Sequence, residues 1–118
     1  MTRIPIVAGN WKMNTTRSEA IELARAIRER SDSVTGVEKI VCPPFVFLHD
    51  VRAAIEGSTI KLGTQNVFWE EKGAYTGEVS VTQVAEVAQY AIVGHSERRQ
   101  YFGETDETVR LRAEAALE

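Results

Sequence analysis

The sequence predicts an α/β fold in which parallel strands alternate with helices that cover them. Four short apolar segments are each followed by a polar stretch and then by apolar residues at helical spacing. Strands that are apolar along their whole length have both faces buried, which is typical of parallel sheets. Polar residues and glycines cluster directly after each strand, at the edge where α/β proteins build their functional sites.

The composition is that of one ordinary globular domain, which we assign to residues 1–118. Hydrophobic residues make up 43% of the chain and charged residues 26%, values far from those of disordered proteins. The net charge of −3 argues against a protein that binds nucleic acid or an acidic membrane. A single cysteine, Cys42, and an N-terminus without a long apolar stretch together predict a cytoplasmic protein.

Strands and helices are predicted from apolar periodicity and from the residues that end each run. The strands cover residues 4–8, 40–42, 59–63 and 91–94. Thr16 and Glu19 form a capping-box pattern at the start of the first helix, and Thr105 caps the last one. The apolar stripes of the second and third helices are Leu48, Val51 and Ile55, and Val81, Val84, Ala85 and Ala88. Four such units fit either a doubly wound sheet or half of a barrel, and periodicity does not choose between them.

Asn10 and Lys12 are candidate ligand-binding residues. They follow the first strand two positions apart, so in an extended segment both side chains point the same way. A lysine held at a strand end is a compact cation suited to a phosphate or a carboxylate. On spacing alone, a solvated loop lysine is the more common interpretation of such a residue.

His95 is the second candidate, at the end of the fourth strand. A helical turn is predicted directly after it, with Ser96 near the cap, and the free backbone amides there favour a neutral imidazole. A neutral ring can donate a hydrogen bond to a developing oxyanion. The alternative is a buried histidine satisfied by a backbone carbonyl, whereas His49 is interpreted as a surface residue.

The remaining reactive or charged residues have structural interpretations. The mixed charges Glu97, Arg98, Arg99 and Glu104 are interpreted as structural or solvated ion pairs. Cys42 lies in an apolar strand and is interpreted as buried and inert. The sequence has no metal-ligand spacing and no dinucleotide or phosphate-loop fingerprint, so neither a metal nor a cofactor is predicted.

Four motifs resemble those of the triosephosphate isomerase family. They are GNWKMN after the first strand, GTQNV at the third, GAYTGEVS before the third helix, and IVGHSERRQYFGETDE from the fourth strand onward. Their order and spacing match from Ile6 to the last residue. The resemblance implies the (β/α)4 half of a TIM (β/α)8 barrel, with parallel strands and outer helices.

The resemblance also implies roles for individual residues. Asn10 and Lys12 resemble the family's substrate-contacting pair, with Lys12 facing the phosphate of a triose phosphate. His95 matches the neutral histidine that polarises the substrate carbonyl, for which this family is a standard example. Glu97 matches a nearby carboxylate of the same catalytic site.

A protruding loop is implied as an interface. The residues that resemble it are Gln65, Asn66, Tyr75, Thr76, Gly77 and Glu78. In the family's dimer this loop inserts into the second subunit, so Thr76 is expected beside the active site of a partner subunit. A homo-oligomer formed through this loop is therefore one expectation for the chain.

The sequence lacks one catalytic residue that the family pattern includes, the general base. The family's base is a glutamate after the sixth strand, and no glutamate here matches it. Because a positioned general base contributes ~10²–10⁴ in rate, we expect the isolated chain to be inactive. Activity is expected to need a second chain that supplies the C-terminal half-barrel. The alternative is a non-catalytic scaffold in which two copies associate through their open strand edges.

Overall fold

A computed structural model describes residues 3–118 and contains one parallel sheet whose strands follow chain order. The strands are β1 (Ile6–Asn10), β2 (Glu38–Cys42), β3 (Ile60–Thr64) and β4 (Tyr90–Ala91), in the order β1-β2-β3-β4. Doubly wound sheets reverse their strand order at a switch point, whereas a barrel segment does not. The strand order therefore identifies a half-barrel and not a doubly wound sheet, two alternatives between which periodicity did not decide.

The helices begin largely where the sequence predicts. They are α1 (Arg17–Ser31), α2 (Leu48–Ile55), α3 (Val81–Val84), α4 (Ser96–Tyr101) and α5 (Asp106–Leu117), with a 3-10 turn at Phe45–Phe47. The predicted capping box is present, since Thr16 N–H donates to Glu19 Oε1 at 2.9 Å and Glu19 N–H donates to Thr16 Oγ1 at 3.3 Å. Thr105 caps α5 through the N–H of Thr108. These predictions of helix starts are confirmed.

Several predicted elements differ in extent: β2 begins two residues earlier than predicted, β3 lies one residue later along the chain, and β4 covers Tyr90–Ala91 instead of residues 91–94. The first strand begins two residues later than predicted and runs on to Asn10, which pairs with Cys42.

The third helix ends at Val84 rather than near Ala88. After Val84 the chain continues as a turn, in which Ala88 N–H donates to Val84 O at 2.8 Å. It then joins the sheet, where Gln89 N–H donates to Leu62 O at 2.9 Å.

The hydrophobic core lies between the sheet and the outer helices. Val41 and Leu62 of the two central strands are 4% and 2% exposed and belong to one cluster with the helical residues. Ala20 and Ala24, one turn apart on α1, are completely buried. The small side chains on this face of α1 allow the helix to pack closely against its neighbours.

β1 is an open edge of the sheet. Its neighbouring residues Ile6 and Val7 are 60% and 64% exposed, although successive side chains of a strand point to opposite faces. Neither face of β1 is therefore well covered by residues 3–118. Such exposed apolar edges are where another strand or subunit adds to a sheet.

Polar contacts that the sequence analysis did not identify order the corner after α1. Asp32 Oδ1 accepts hydrogen bonds from the Thr59 N–H at 2.6 Å and from the Thr59 hydroxyl at 2.8 Å. Lys39 Nζ donates to the carbonyl oxygens of Ser31, Asp32 and Val34 at 2.6, 3.1 and 2.8 Å. These contacts satisfy carbonyls at the end of the helix and join it to β2 and β3.

Replacing Asp32 should change how stability depends on pH. The backbone N–H and then the hydroxyl of Thr59 hold the pKa of the Asp32 carboxyl below its ordinary value of 3.8. Because the folded-state pKa is the lower one, this stabilisation is present above pH 3.8 and is lost as the pH falls through the folded-state value. Asp32→Asn should therefore flatten the acid-side decline of the free energy of unfolding, measured by urea denaturation over roughly pH 5 to 2.

Asp50→Asn is the matched control for this experiment. It removes the same charge from a pair with Arg17, whose side chain is 71% exposed. The acid-side decline should be retained in this variant. Equal flattening by both substitutions would contradict the role given to the Thr59 contacts.

Candidate active site

A cavity of about 230 Å³ lies at the C-terminal end of the sheet. Its lining residues are Asn10, Lys12, Met13, Phe45, Gln65, Asn66, Ile92, His95, Glu97, Arg98 and Phe102. The segments that follow all four strands thus contribute, as in other α/β sites. A larger open depression of about 600 Å³ is lined by α1, α2 and the segment after α1, and includes none of the predicted site residues.

Lys12 has a left-handed backbone with φ 58°. Its N–H donates to Asn10 Oδ1 at 2.9 Å, and its carbonyl accepts from Gln65 Nε2 at 2.8 Å. The expectation that Asn10 and Lys12 point the same way along an extended segment is wrong, because the chain turns at Lys12. Both side chains nevertheless reach the cavity, and the conformation costs roughly 1–3 kcal/mol that the surrounding contacts must offset.

An ion pair joins Lys12 to Glu97 across the mouth of the cavity. Lys12 Nζ lies 2.6 Å from Glu97 Oε1, and the two side chains are 52% and 40% exposed. The Lys12 ammonium, mainly through this hydrogen bond, holds the pKa of the Glu97 carboxyl below its ordinary value. Glu97 is therefore ionised at neutral pH, and an anionic ligand can compete with it for the ammonium.

His95 is itself the N-cap of α4. Its Nδ1 accepts a hydrogen bond from the backbone N–H of Glu97 at 3.1 Å. The prediction that Ser96 lies near the cap is confirmed, since Ser96 is the first residue of the helix, directly after the cap residue His95. Because Nδ1 accepts, the neutral ring carries its proton on Nε2 and offers a donor there.

The predicted protruding loop divides into an exposed tip and a base that belongs to the site. The exposed residues are Tyr75, Thr76 and Gly77. Gln65 instead lines the cavity and donates to backbone carbonyls. Asn66 is 4% exposed and donates from Nδ2 to Glu78 Oε1 at 2.9 Å. Only the tip is thus presented to solvent.

Arg112 on α5 is a buried residue that the sequence analysis did not identify. It is 5% exposed, and its Nη1 donates to Asn66 Oδ1 at 2.8 Å and to Val67 O at 2.6 Å. Its Nη2 donates to Glu78 Oε2 at 3.2 Å. The one signal for it in the sequence is its helical spacing from Val109, which places a charge on the apolar stripe of this helix.

Glu104 connects this arginine to the segment that carries His95. The Glu104 side chain is 3% exposed, accepts from Arg98 Nε, and lies 3.4 Å from Arg112 Nε through the same Oε2. Arg99 and Asp106 form a second pair at 2.8 Å, with side chains 40% and 98% exposed. The charge cluster therefore contains both a structural and a solvated ion pair, as the sequence indicated.

The other interpretations of single residues agree with the structure. Cys42 is 2% exposed, and burial raises the pKa of its thiol to about 11. His49 is exposed on α2.

Within residues 3–118, no group of three or more His, Cys, Asp or Glu side chains is arranged to hold a metal ion. The described part of the chain also contains no helix with the length and apolar character of a membrane span.

The family model for triosephosphate isomerase matches residues 5–118. The chain belongs to the triosephosphate isomerase family. The triosephosphate isomerase of Dehalococcoides mccartyi is 53% identical over 113 residues, covering 96% of this chain and 45% of that protein. That of Endomicrobium trichonymphae is 53% identical over 116 residues, covering 98% of this chain and 46% of its own length.

A solved structure shows the same architecture. The crystal structure of triosephosphate isomerase from Bartonella henselae matches with a TM-score of 0.90 and 37% identity, covering 98% of this chain and 48% of that one. The chain spans about half the length of the triosephosphate isomerases it matches. It corresponds to their N-terminal half, and the predicted (β/α)4 half of a TIM barrel is confirmed.

Arg112→Met should lower the free energy of unfolding by about 3 kcal/mol. Removing one member of a buried ion pair leaves the charges of Glu104 and Glu78 less well compensated. It also removes the hydrogen bond to Asn66, which holds the start of the protruding loop against α5. Urea denaturation of this chain measures the change.

The control is Arg110→Met on the same helix. Arg110 is 50% exposed and bridges Glu107 and Glu114 on the helix surface. Its replacement should change stability little, because solvent screens exposed pairs. Equal destabilisation by the two variants would contradict a structural role for the buried arginine.

Proposed function

We propose that this chain forms the N-terminal half of a triosephosphate isomerase active site. The reaction is the interconversion of dihydroxyacetone phosphate and D-glyceraldehyde 3-phosphate by proton transfer through an enediolate, a step of glycolysis and gluconeogenesis. The observation that carries the proposal is the convergence of Lys12, His95 and Glu97 on one cavity. Membership of the triosephosphate isomerase family supports the substrate class.

Lys12 is the phosphate-binding cation in this proposal. Its ammonium is half exposed at the mouth of the cavity and is held there by the Glu97 carboxylate. A phosphate dianion carries more charge than a carboxylate, so it competes well for the ammonium. Asn10 supports the binding group through its hydrogen bond to the Lys12 backbone.

His95 is the electrophile. Its Nε2–H donates to the substrate carbonyl oxygen, which gains negative charge as a proton leaves the adjacent carbon. The hydrogen bond from Glu97 N–H to Nδ1 fixes the tautomer and the ring before substrate binds. A donor fixed in this way does not reorganise during the reaction, which favours the enediolate over the substrate.

The base is supplied by the remaining half of the barrel, on further residues of the same polypeptide or on a second chain. It removes a proton from one substrate carbon and returns it to the neighbouring carbon, while the hydroxyl proton moves from one substrate oxygen to the other, so no electron acceptor takes part. The exposure of Ile6 and Val7 on the open edge of β1 supports this arrangement, because the remaining units pair with that edge.

The same exposed edge supports a second candidate function, a non-catalytic scaffold. In that case two copies of this chain associate through their open edges and bury Ile6 and Val7. The assembly carries two sets of Lys12 and His95 and no base. It differs from the isomerase in mass and in activity.

Isomerase activity should appear only when this chain is mixed with the four C-terminal units of a relative such as the Dehalococcoides mccartyi enzyme. Light scattering should then give a mass equal to paired halves, with equal numbers of the two chains. Activity follows because the added half supplies the base, which contributes ~10²–10⁴ in rate. If this chain instead forms a homo-oligomer that does not bind the added half and has no isomerase activity, the isomerase proposal is wrong and the scaffold is the function that remains.

In the active mixture, His95→Gln should lower kcat by about 10²–10³, the usual effect of removing a donor to a developing oxyanion. His49→Gln is the matched control, since His49 is an exposed histidine of α2. Steady-state kinetics measure both variants. An equal kcat for His95→Gln and the unsubstituted chain would rule out the role given to His95.

A further inference from the structure

The backbone of Lys12 needs an external restraint. Among residues 3–118, Lys12 and Thr15 are the non-glycine residues with positive φ, at 58° and 79°. In this region the Cβ atom crowds the following carbonyl oxygen, so a lysine leaves it unless neighbouring groups hold it. The restraint must act on the peptide groups that flank the Lys12 Cα.

Three side-chain hydrogen bonds act on those peptide groups, and one of them is local, from Asn14 Nδ2 to the carbonyl oxygen of Trp11 at 2.8 Å. The N–H of Lys12 donates to Asn10 Oδ1 at 2.9 Å, and its carbonyl accepts from Gln65 Nε2 at 2.8 Å. Asn10 also belongs to the same segment of chain, so its bond shapes the turn locally. Gln65 lies 53 positions further on, after β3, and its bond holds the turn against the sheet.

A second hydrogen bond from the same amide fixes Gln65. Its Nε2 also donates to Cys42 O at 2.8 Å, and that carbonyl accepts from Trp11 N–H at 3.1 Å. The Gln65 amide thus bridges the end of β2 and the turn after β1. Both partners are carbonyl oxygens, so the position requires two N–H donors on one side chain. Of the uncharged side chains of this length, glutamine provides them.

We propose that Gln65 is a positioning residue that locks the left-handed backbone of Lys12 and thereby directs the Lys12 ammonium into the active-site cavity. The part played by that ammonium rests on the proposed isomerase function. The restraint on the backbone is independent of it.

Loss of the restraint has a specific consequence at Glu97. If φ of Lys12 relaxes from 58° to about −60°, the Cα–Cβ bond turns and Lys12 Nζ leaves its position 2.6 Å from Glu97 Oε1. The Glu97 carboxylate then loses its main stabilising contact. A change at Lys12 is therefore visible as a change in the titration of Glu97.

Gln65→Met keeps the length of the side chain and removes both donors. In nuclear magnetic resonance of this 118-residue chain, three-bond and residual dipolar couplings should report a negative φ at Lys12. The pKa of the Glu97 carboxyl should rise toward its ordinary value of 4.5 as the ammonium moves away. An unchanged φ and an unchanged Glu97 titration in the folded variant would overturn the proposal.

Two further variants complete the test. Gln65→Glu has the same size, lacks both N–H donors when ionised, and should give the same change in the Lys12 φ if Gln65→Met does not fold. Gln100→Met makes the matched substitution at an exposed position of α4 and should leave both readouts unchanged. The same shifts in Gln100→Met would show that they do not arise from the Gln65 contacts and would overturn the proposal.

In the mixture with a C-terminal half-barrel, Gln65→Met should raise KM for the triose phosphate about tenfold, the factor that corresponds to ~1.4 kcal/mol. The effect on kcat should be smaller, because His95 and its Glu97 contact remain. An unchanged KM would overturn the link to phosphate binding. If the unsubstituted mixture is inactive, the proposed function fails, while the Lys12 couplings still decide the restraint.

Discussion

The in-register parallel pairing of β1, β2 and β3 is the constraint on which the site depends. It places Asn10 opposite Cys42 and brings the carboxyl ends of the strands to one edge of the sheet. The carbonyl of Cys42 then accepts hydrogen bonds from the segment after β1 and from the segment after β3. A shift of register by one residue would move both the site residues and the core residues to the wrong faces.

Burial distinguishes two clusters of opposite charges in the structure. Lys12 and Glu97 form a pair that is about half exposed, so a ligand anion can reach it. Glu104 and Arg112 are almost fully buried, and the guanidinium groups of Arg98 and Arg112 lie against Glu104 Oε2, which offsets part of the cost of removing its charge from water. The first cluster is suited to binding, and the second holds α4, α5 and the loop base in place.

Several features followed from short stretches of sequence. The capping boxes at Thr16 and Thr105 involve residues three positions apart, so their geometry is local. Buried Cys42 and exposed His49 followed from the apolar or polar character of their neighbours. The third helix was predicted too long, since beyond Val84 the chain forms a turn and then joins the sheet through the bond from Gln89 to Leu62, a contact between distant parts of the chain.

The sequence by itself determined the alternation of strands and helices, the edge of the sheet that carries the candidate site, and membership of the family through its motifs. Only the tertiary structure decided the left-handed turn at Lys12, the inward position of Gln65 and the burial of Arg112. These features depend on partners 53 and 46 positions away along the chain. Periodicity and capping patterns report contacts within a few residues, whereas these hydrogen bonds exist only after the sheet has brought distant segments together.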